Sequence, residues 1–181
     1  MCRNVRIITP KWIYEIESIS RRQNLIYKLI VQIVFAVLMF FGSTLIAFYE
    51  GSGIVDNPWE WAYSTPFSHF IGGGVQQASD ISSFDYFVYA AKFQPAYPLM
   101  MMLSIIYLVI LLGVILFKRK KSITSLYFGL FSLIMFALAF VLLNASTLGG
   151  KAFSYLFLVV GIALLAISFI VKRKMLVMQQ I

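Results

Sequence analysis

Four stretches of this chain, Leu29 to Tyr49, Tyr97 to Phe117, Ile123 to Leu143 and Ala152 to Val171, contain no Asp, Glu, Lys, Arg or His. Each is about the length an α-helix needs to cross a hydrocarbon core of about 30 Å. A charge at mid-membrane costs about 2.5–3.5 kcal/mol or more, so four uncharged runs of this length constrain the fold strongly. Across all 181 residues, 61% are hydrophobic and 12% charged, with mean hydropathy +0.87. A soluble domain carries about 25% charged residues, so an ordinary soluble enzyme, a disordered chain and a disulfide-rich secreted domain are all disfavoured. The expected fold class is an all-α integral membrane protein, a four-span antiparallel helical bundle.

Charge placement sets the expected orientation. Thirteen of the fifteen bases lie in the arm 1–28, the turn 118–122 and the tail 172–181. Five of the seven acids lie in 50–96, whose own base is Lys92, while the turn 144–151 carries Lys151. The positive-inside rule then puts both termini of a multi-pass membrane protein in the cytoplasm. It also explains the net charge of +8 without nucleic acid. The first run is too long, and follows too long an arm, for a cleaved signal peptide. In the arm, Thr9-Pro10 reads as a helix start, and Trp12, Ile13, Ile16 and Ile19 share one face. That arm is either an amphipathic helix on the inner leaflet or a basic tail that only sets topology. The turn Lys118, Arg119, Lys120 and Lys121 serves topology and is a candidate anionic-lipid contact.

Small residues suggest how the spans pack. Ser125, Ser132 and Ala139 recur every seven residues, with Gly129 beside them and Ser146 continuing the series. Ser154, Gly161 and Ser168 repeat the spacing in the fourth span. Such stripes let backbones approach in lipid, and a short turn holding Gly149-Gly150 makes the two spans antiparallel neighbours. The stripes are expected to face each other. Ala36, Ser43 and Ala47 mark a similar face on the first span, while the second span has few small residues. Gln32, Ser43, Thr44 and Ser104 are too few and scattered to line a path through one copy. Asn144 reads either as a cross-helix hydrogen-bonder or as a helix-ending residue.

The segment 50–96 is dense in aromatics, among them Trp59, Trp61, Tyr63, Phe67, Phe70 and Phe84. It is expected to form a small aromatic-rich extracytoplasmic cap between spans 1 and 2. Asn57-Pro58 with Glu60 reads as a helix start, and Ser82 with Asp85 as a capping box opening a helix that stops near Pro95. Gly51 and Gly53 are expected to turn the chain after the first span, and Gly72-Gly73-Gly74 to break it. The aromatics fit an interfacial belt, or a cage for a ligand. Asp56, Glu60, Asp80 and Asp85 are solvated acids in one reading and a converging acidic site in another, with Trp59 and Trp61 beside it.

The wording of this region, Phe48-Tyr49-Glu50-Gly51-Ser52-Gly53, then Asp56-Asn57-Pro58-Trp59-Glu60-Trp61, Ser64-Thr65-Pro66-Phe67 and Asp85-Tyr86-Phe87-Val88-Tyr89-Ala90-Ala91-Lys92-Phe93, resembles the YjdJ-like family. These are small uncharacterised membrane proteins of Bacillus-type bacteria. The resemblance covers about residues 29–118. It implies a Gram-positive plasma membrane with the cap on the cell-wall side, and it brings no activity and no site residues.

No catalytic residue, metal ligand or cofactor site is expected. His69 and Cys2 are the sole histidine and cysteine and are assigned to opposite sides of the membrane. Ser64 or Ser68 with His69 and an acid lacks the surroundings of a nucleophile elbow. The leading expectation is a non-enzymatic accessory or assembly subunit that associates with another membrane protein or itself. The alternatives are a binding or sensing module using the cap, and a membrane-embedded hydrolase or transferase.

Overall fold

The computed structural model describes residues 11–117 and 120–179, and for 11–18, 22 and 175–179 the backbone alone. The described residues form helices and connecting turns, with no strand among them. The long helices are α1 (Lys11–Gly51), α5 (Ala96–Phe117), α6 (Lys121–Leu142) and α7 (Leu148–Gln179). Between α1 and α5 lie three short helices, α2 (Trp61–Ser64), α3 (Pro66–Gly72) and α4 (Ser83–Phe93), joined by 3₁₀ turns. Four segments are long and apolar enough to cross a membrane: Ile19–Asp56, Ala96–Phe117, Lys121–Leu142 and Leu148–Lys174.

The arm from Lys11 is helical and continuous with the first apolar run. Its proposed start at Thr9-Pro10 lies outside the described residues. So do Lys118 and Arg119, while Lys120 and Lys121 are exposed.

α6 and α7 are the tightest pair. Ser132 Oγ donates to the Gly161 carbonyl at 2.8 Å, and Ser154 Oγ to the Ala139 carbonyl at 3.1 Å. Ser168 Oγ donates to the Ser125 carbonyl at 2.7 Å, and Ser125 Oγ returns a bond to the Ser168 carbonyl at 3.0 Å. Partner numbers fall on one helix as they rise on the other, so the pair runs antiparallel with the two stripes in contact. Gly129 sits opposite Ser168, 3.5 Å from its Oγ when a Cβ is built on the glycine. Phe128, Met135, Phe157 and Leu164 fill the same seam, with Ile106 reaching in from α5. Ser146 is exposed because α6 ends at Leu142, so the helical face the spacing assumed does not extend that far. Asn144 is likewise exposed in the turn.

Besides Ile106, α5 meets α6 through Phe117 and the Tyr127 ring. Tyr127 packs where Gly113 leaves no side chain, and its hydroxyl donates to the Val109 carbonyl at 2.9 Å. α1 lies along α5, burying Ala36, Ser43 and Ala47. α4 then bridges the two helix pairs. A Cβ on Gly51 of α1 would lie 2.0 Å from the Tyr86 carbonyl oxygen, and one on Gly149 of α7 1.7 Å from that of Ala91.

These contacts change the expected role of several glycines. Gly51 has helical φ of −67° and serves close approach, not the turn expected of it. Gly53 is also outside the positive-φ region, and Gly149-Gly150 form the first turn of α7 instead of the linker. Gly150 N–H is capped by Thr147 Oγ1 at 3.1 Å. Gly73 does break the chain, ending α3 in the left-handed region at φ 75°.

Candidate functional site

The cap is built around buried polar groups. Pro66 opens α3, so its first N–H groups lack helical partners. Asp85 of α4 supplies them: Oδ1 accepts from Phe67 N–H and Oδ2 from Ser68 N–H, both at 2.9 Å. The Ser68 hydroxyl donates to the same Oδ2 and accepts from Ser82 N–H at 2.7 Å. Asp85 is fully buried. It therefore does not complete the expected capping box. Ser82 does cap α4 through Phe84 N–H at 3.4 Å, but the Asp85 carboxylate turns to α3 and leaves the Ser82 N–H to Ser68.

A second cluster joins α2 to α4. Lys92 Nζ donates to Ser64 Oγ at 2.7 Å and forms a 3.3 Å ion pair with Glu60. Ser64 Oγ donates on to Glu60 Oε2 at 2.7 Å. The Ser64 hydrogen bond, with help from the Lys92 ammonium, holds the Glu60 carboxyl below its usual range against a modest burial penalty. Asn57 makes no side-chain cap for its turn; its amide bridges the Gly53 carbonyl at 2.8 Å and the Tyr89 hydroxyl at 2.9 Å. Trp61 Nε1 donates to the Ile54 carbonyl at 2.9 Å.

The four acids do not converge. Asp85 is spent on α3 and Glu60 on Lys92. Asp80 accepts from Gln77 and Gln76 N–H within its own turn, which holds its carboxyl low, and Asp56 is exposed. Among the described residues no three His, Cys, Asp or Glu side chains could hold a metal ion. The sequence suggested an acidic site because all four fall in one segment. Spacing along a chain that folds back through three short helices carries no information on convergence.

The serine–histidine arrangement also lacks its geometry. Ser64 and Ser68 are buried with their protons committed to carboxylates, while His69 is exposed, its ring beside Gly74. The part that pattern reading missed is Lys92, which gathers Glu60, Ser64 and the Tyr63 carbonyl. Its solitary position in a base-poor segment was the available signal. Glu50 was missed too: its Oε2 is buried at the end of α1 with no hydrogen-bond partner.

Outside this polar interior several aromatic side chains of the cap stand exposed among polar residues such as Asp56, Gln76 and Asp80. Trp59 is 71% exposed, Tyr63 77% and Phe70 91%. Beneath it, a cleft of about 660 Å³ opens between the two helix pairs, walled by Phe40, Phe87, Met101, Met102, Leu142 and Phe153.

These features define an all-helical protein with four helices of membrane-crossing length and composition and a folded cap between the first two. Residues 30–117 match the family model described as a domain of unknown function, DUF4306. Over 94 residues the chain is 29% identical to the uncharacterized protein YjdJ of Bacillus subtilis (strain 168), covering 51% of this chain and 86% of that relative. The half of the chain that holds the cap is thus similar to YjdJ, and α6 and α7 lie beyond the family match. No solved structure matches the chain.

Proposed function

We propose that this chain is a four-span plasma-membrane protein, its cap extracytoplasmic and its termini cytoplasmic, that serves as a non-enzymatic accessory or assembly subunit. One observation carries the reading. The cap spends Asp85, Glu60, Ser64, Ser68 and the Lys92 ammonium on holding itself together, and turns several aromatic side chains outward. Trp59, Tyr63 and Phe70 are its most exposed aromatics, and aromatic side chains supply much of the contact energy at interfaces. A folded, chemically quiet cap with an aromatic exterior suits docking better than turnover. Lys120 and Lys121, exposed at the opposite end, suit the anionic inner leaflet.

In-cell crosslinking, gentle extraction and mass spectrometry of the recovered complexes test this. One abundant partner, or a second copy, supports a subunit role. A chain recovered as a strict monomer without partners overturns it.

The cleft beneath the cap favours a second reading, a binding module for an apolar ligand, since its volume falls in the range of small-molecule sites. Saturable quenching of cap tryptophan fluorescence by an apolar probe would support that reading. An unchanged signal at saturating probe would remove it.

A further inference from the structure

Hydroxyls in the long helices mostly find carbonyls. Ser43, Thr44 and Ser104 donate back to their own helices, and Ser125, Ser132, Ser154 and Ser168 donate across α6 and α7. Gln32 and Tyr107 differ. Both are exposed, and neither hydrogen-bonds to any described residue. Both line one groove between α1 and α5, about 600 Å³, with Val31, Phe35, Met39 and Leu103 as apolar walls.

The depth of that groove gives the pair its meaning. Tyr107 lies at the middle of α5, which runs from Ala96 to Phe117, and is not placed at a headgroup belt. Later residues of α1, Phe40 and Thr44, share the cap cleft with Pro98, Met101 and Met102 at the start of α5. The two helices therefore run antiparallel, and Gln32 falls toward the Tyr107 end of their contact. On the membrane-spanning reading proposed above, an amide and a phenol hydroxyl then face hydrocarbon without partners. Acyl chains offer them none, and each unsatisfied group is costly there.

We propose that two copies of this chain associate across the α1/α5 groove, the Gln32 amide of each hydrogen-bonding to Tyr107 of the other. The chemistry selects a second copy. An amide and a hydroxyl each donate and accept, and a two-fold axis pairs residue i with j and j with i. One groove presenting both groups is thus complementary to itself, and a symmetric contact satisfies all four at once. The inference names the partner and surface of the subunit reading, and it rests on that reading.

The test uses the full chain in native membranes. Two differently tagged copies are co-expressed and one is captured after extraction. In parallel, a Cys2→Ser, Phe35→Cys chain is oxidised in the membrane, with Cys2→Ser, Leu133→Cys on α6 as the control. Co-capture of the tags and a dimer band for Phe35→Cys above the control are expected. Gln32→Leu and Tyr107→Phe each remove two symmetric bonds, and each should lower co-capture about tenfold. The thermal transition of the cap tryptophans should stay in place. Absence of co-capture, co-capture unchanged by both substitutions, or a Phe35→Cys adduct with a different protein would overturn the proposal. If alkaline carbonate strips the chain from the membrane fraction, the membrane reading itself fails, a result distinct from an embedded monomer.

Discussion

The Ala91 carbonyl oxygen occupies the space where a Cβ on Gly149 would stand, 1.7 Å away, and the Tyr86 carbonyl oxygen does the same at Gly51, 2.0 Å away. α4 is thereby seated by its own backbone against α1 on one side and α7 on the other. Aromatic contacts reinforce the α1 side, with Phe48 edge-on to Tyr86 at 5.1 Å. The cap is therefore an integral part of the helix assembly, clamped at two glycines that are distant in sequence.

Gly149→Ala and Gly51→Ala should each destabilise the protein by about 1–3 kcal/mol, the usual cost of overpacking. Backbone, unlike the far end of a side chain, cannot swing aside. Thermal unfolding in detergent, followed by tryptophan fluorescence, measures the loss. Gly42→Ala is the control, since nothing lies near its Cβ position. It should be neutral or slightly stabilising, because alanine is the better helix former. Equal effects at all three positions would dismiss the clamp.

Asp85 should matter for folding. Asp85→Ala strands two N–H groups and one hydroxyl in the cap interior, and should cost about 3 kcal/mol or more. Asp85→Asn keeps an acceptor and should lose less. Limited proteolysis of the cap reports both, with cleavage between α3 and α4 rising from the unaltered chain through Asp85→Asn to Asp85→Ala. A cap equally resistant in all three proteins would contradict this account.

The long helices are legible in the sequence because charge exclusion over about 20 residues leaves few alternatives. The α6/α7 contact is legible for a related reason: Ser125, Ser132 and Ala139 repeat on one helical face, as do Ser154, Gly161 and Ser168. The cap is not legible in the same way. The bonds that tie α4 and its start to the rest of the cap join residues 14 to 32 positions apart, such as Ser68 with Ser82 and Asn57 with Tyr89, and no periodicity encodes them. A local motif even misleads at Ser82 and Asp85, where the carboxylate finds better donors at the start of α3 than in its own helix. Gly51 and Gly149 illustrate the same limit. A glycine in sequence signals either a turn or a close approach, and only the tertiary contact decides between them.

The Glu60 cluster should make the cap sensitive to acid. Its folded carboxyl titrates below the ordinary value of 4.5. A depressed folded value adds stability that is complete above that pH and is lost as pH falls toward the folded value. Asp80 is shifted in the same direction from 3.8. In a chain with Trp12→Phe and Trp59→Phe, Trp61 reports on the cap alone. Its melting temperature should hold from pH 7 to about 5 and then fall toward pH 3. Glu60→Gln should flatten the Glu60 part of that fall and leave the Asp80 part. An identical acid profile in the variant would remove Glu60 from the account.

The α6/α7 seam should respond to volume more than to hydrogen bonding. Ser132 is fully buried and donates to the Gly161 carbonyl, beside which the Phe136 ring leaves only 3.0 Å for an added Cβ. In lipid, cross-helix hydrogen bonds average about 0.6 kcal/mol, so Ser132→Ala should be mild. Ser132→Leu must push the helices apart and should cost about 1–3 kcal/mol. Resistance of the folded chain to unfolding by sodium dodecyl sulfate ranks the two. On the membrane-spanning reading proposed above, apolar burial drives little helix association, and close backbone approach becomes the main source of the seam's stability. A larger loss for alanine than for leucine would reverse that ordering and assign the seam to its hydroxyls.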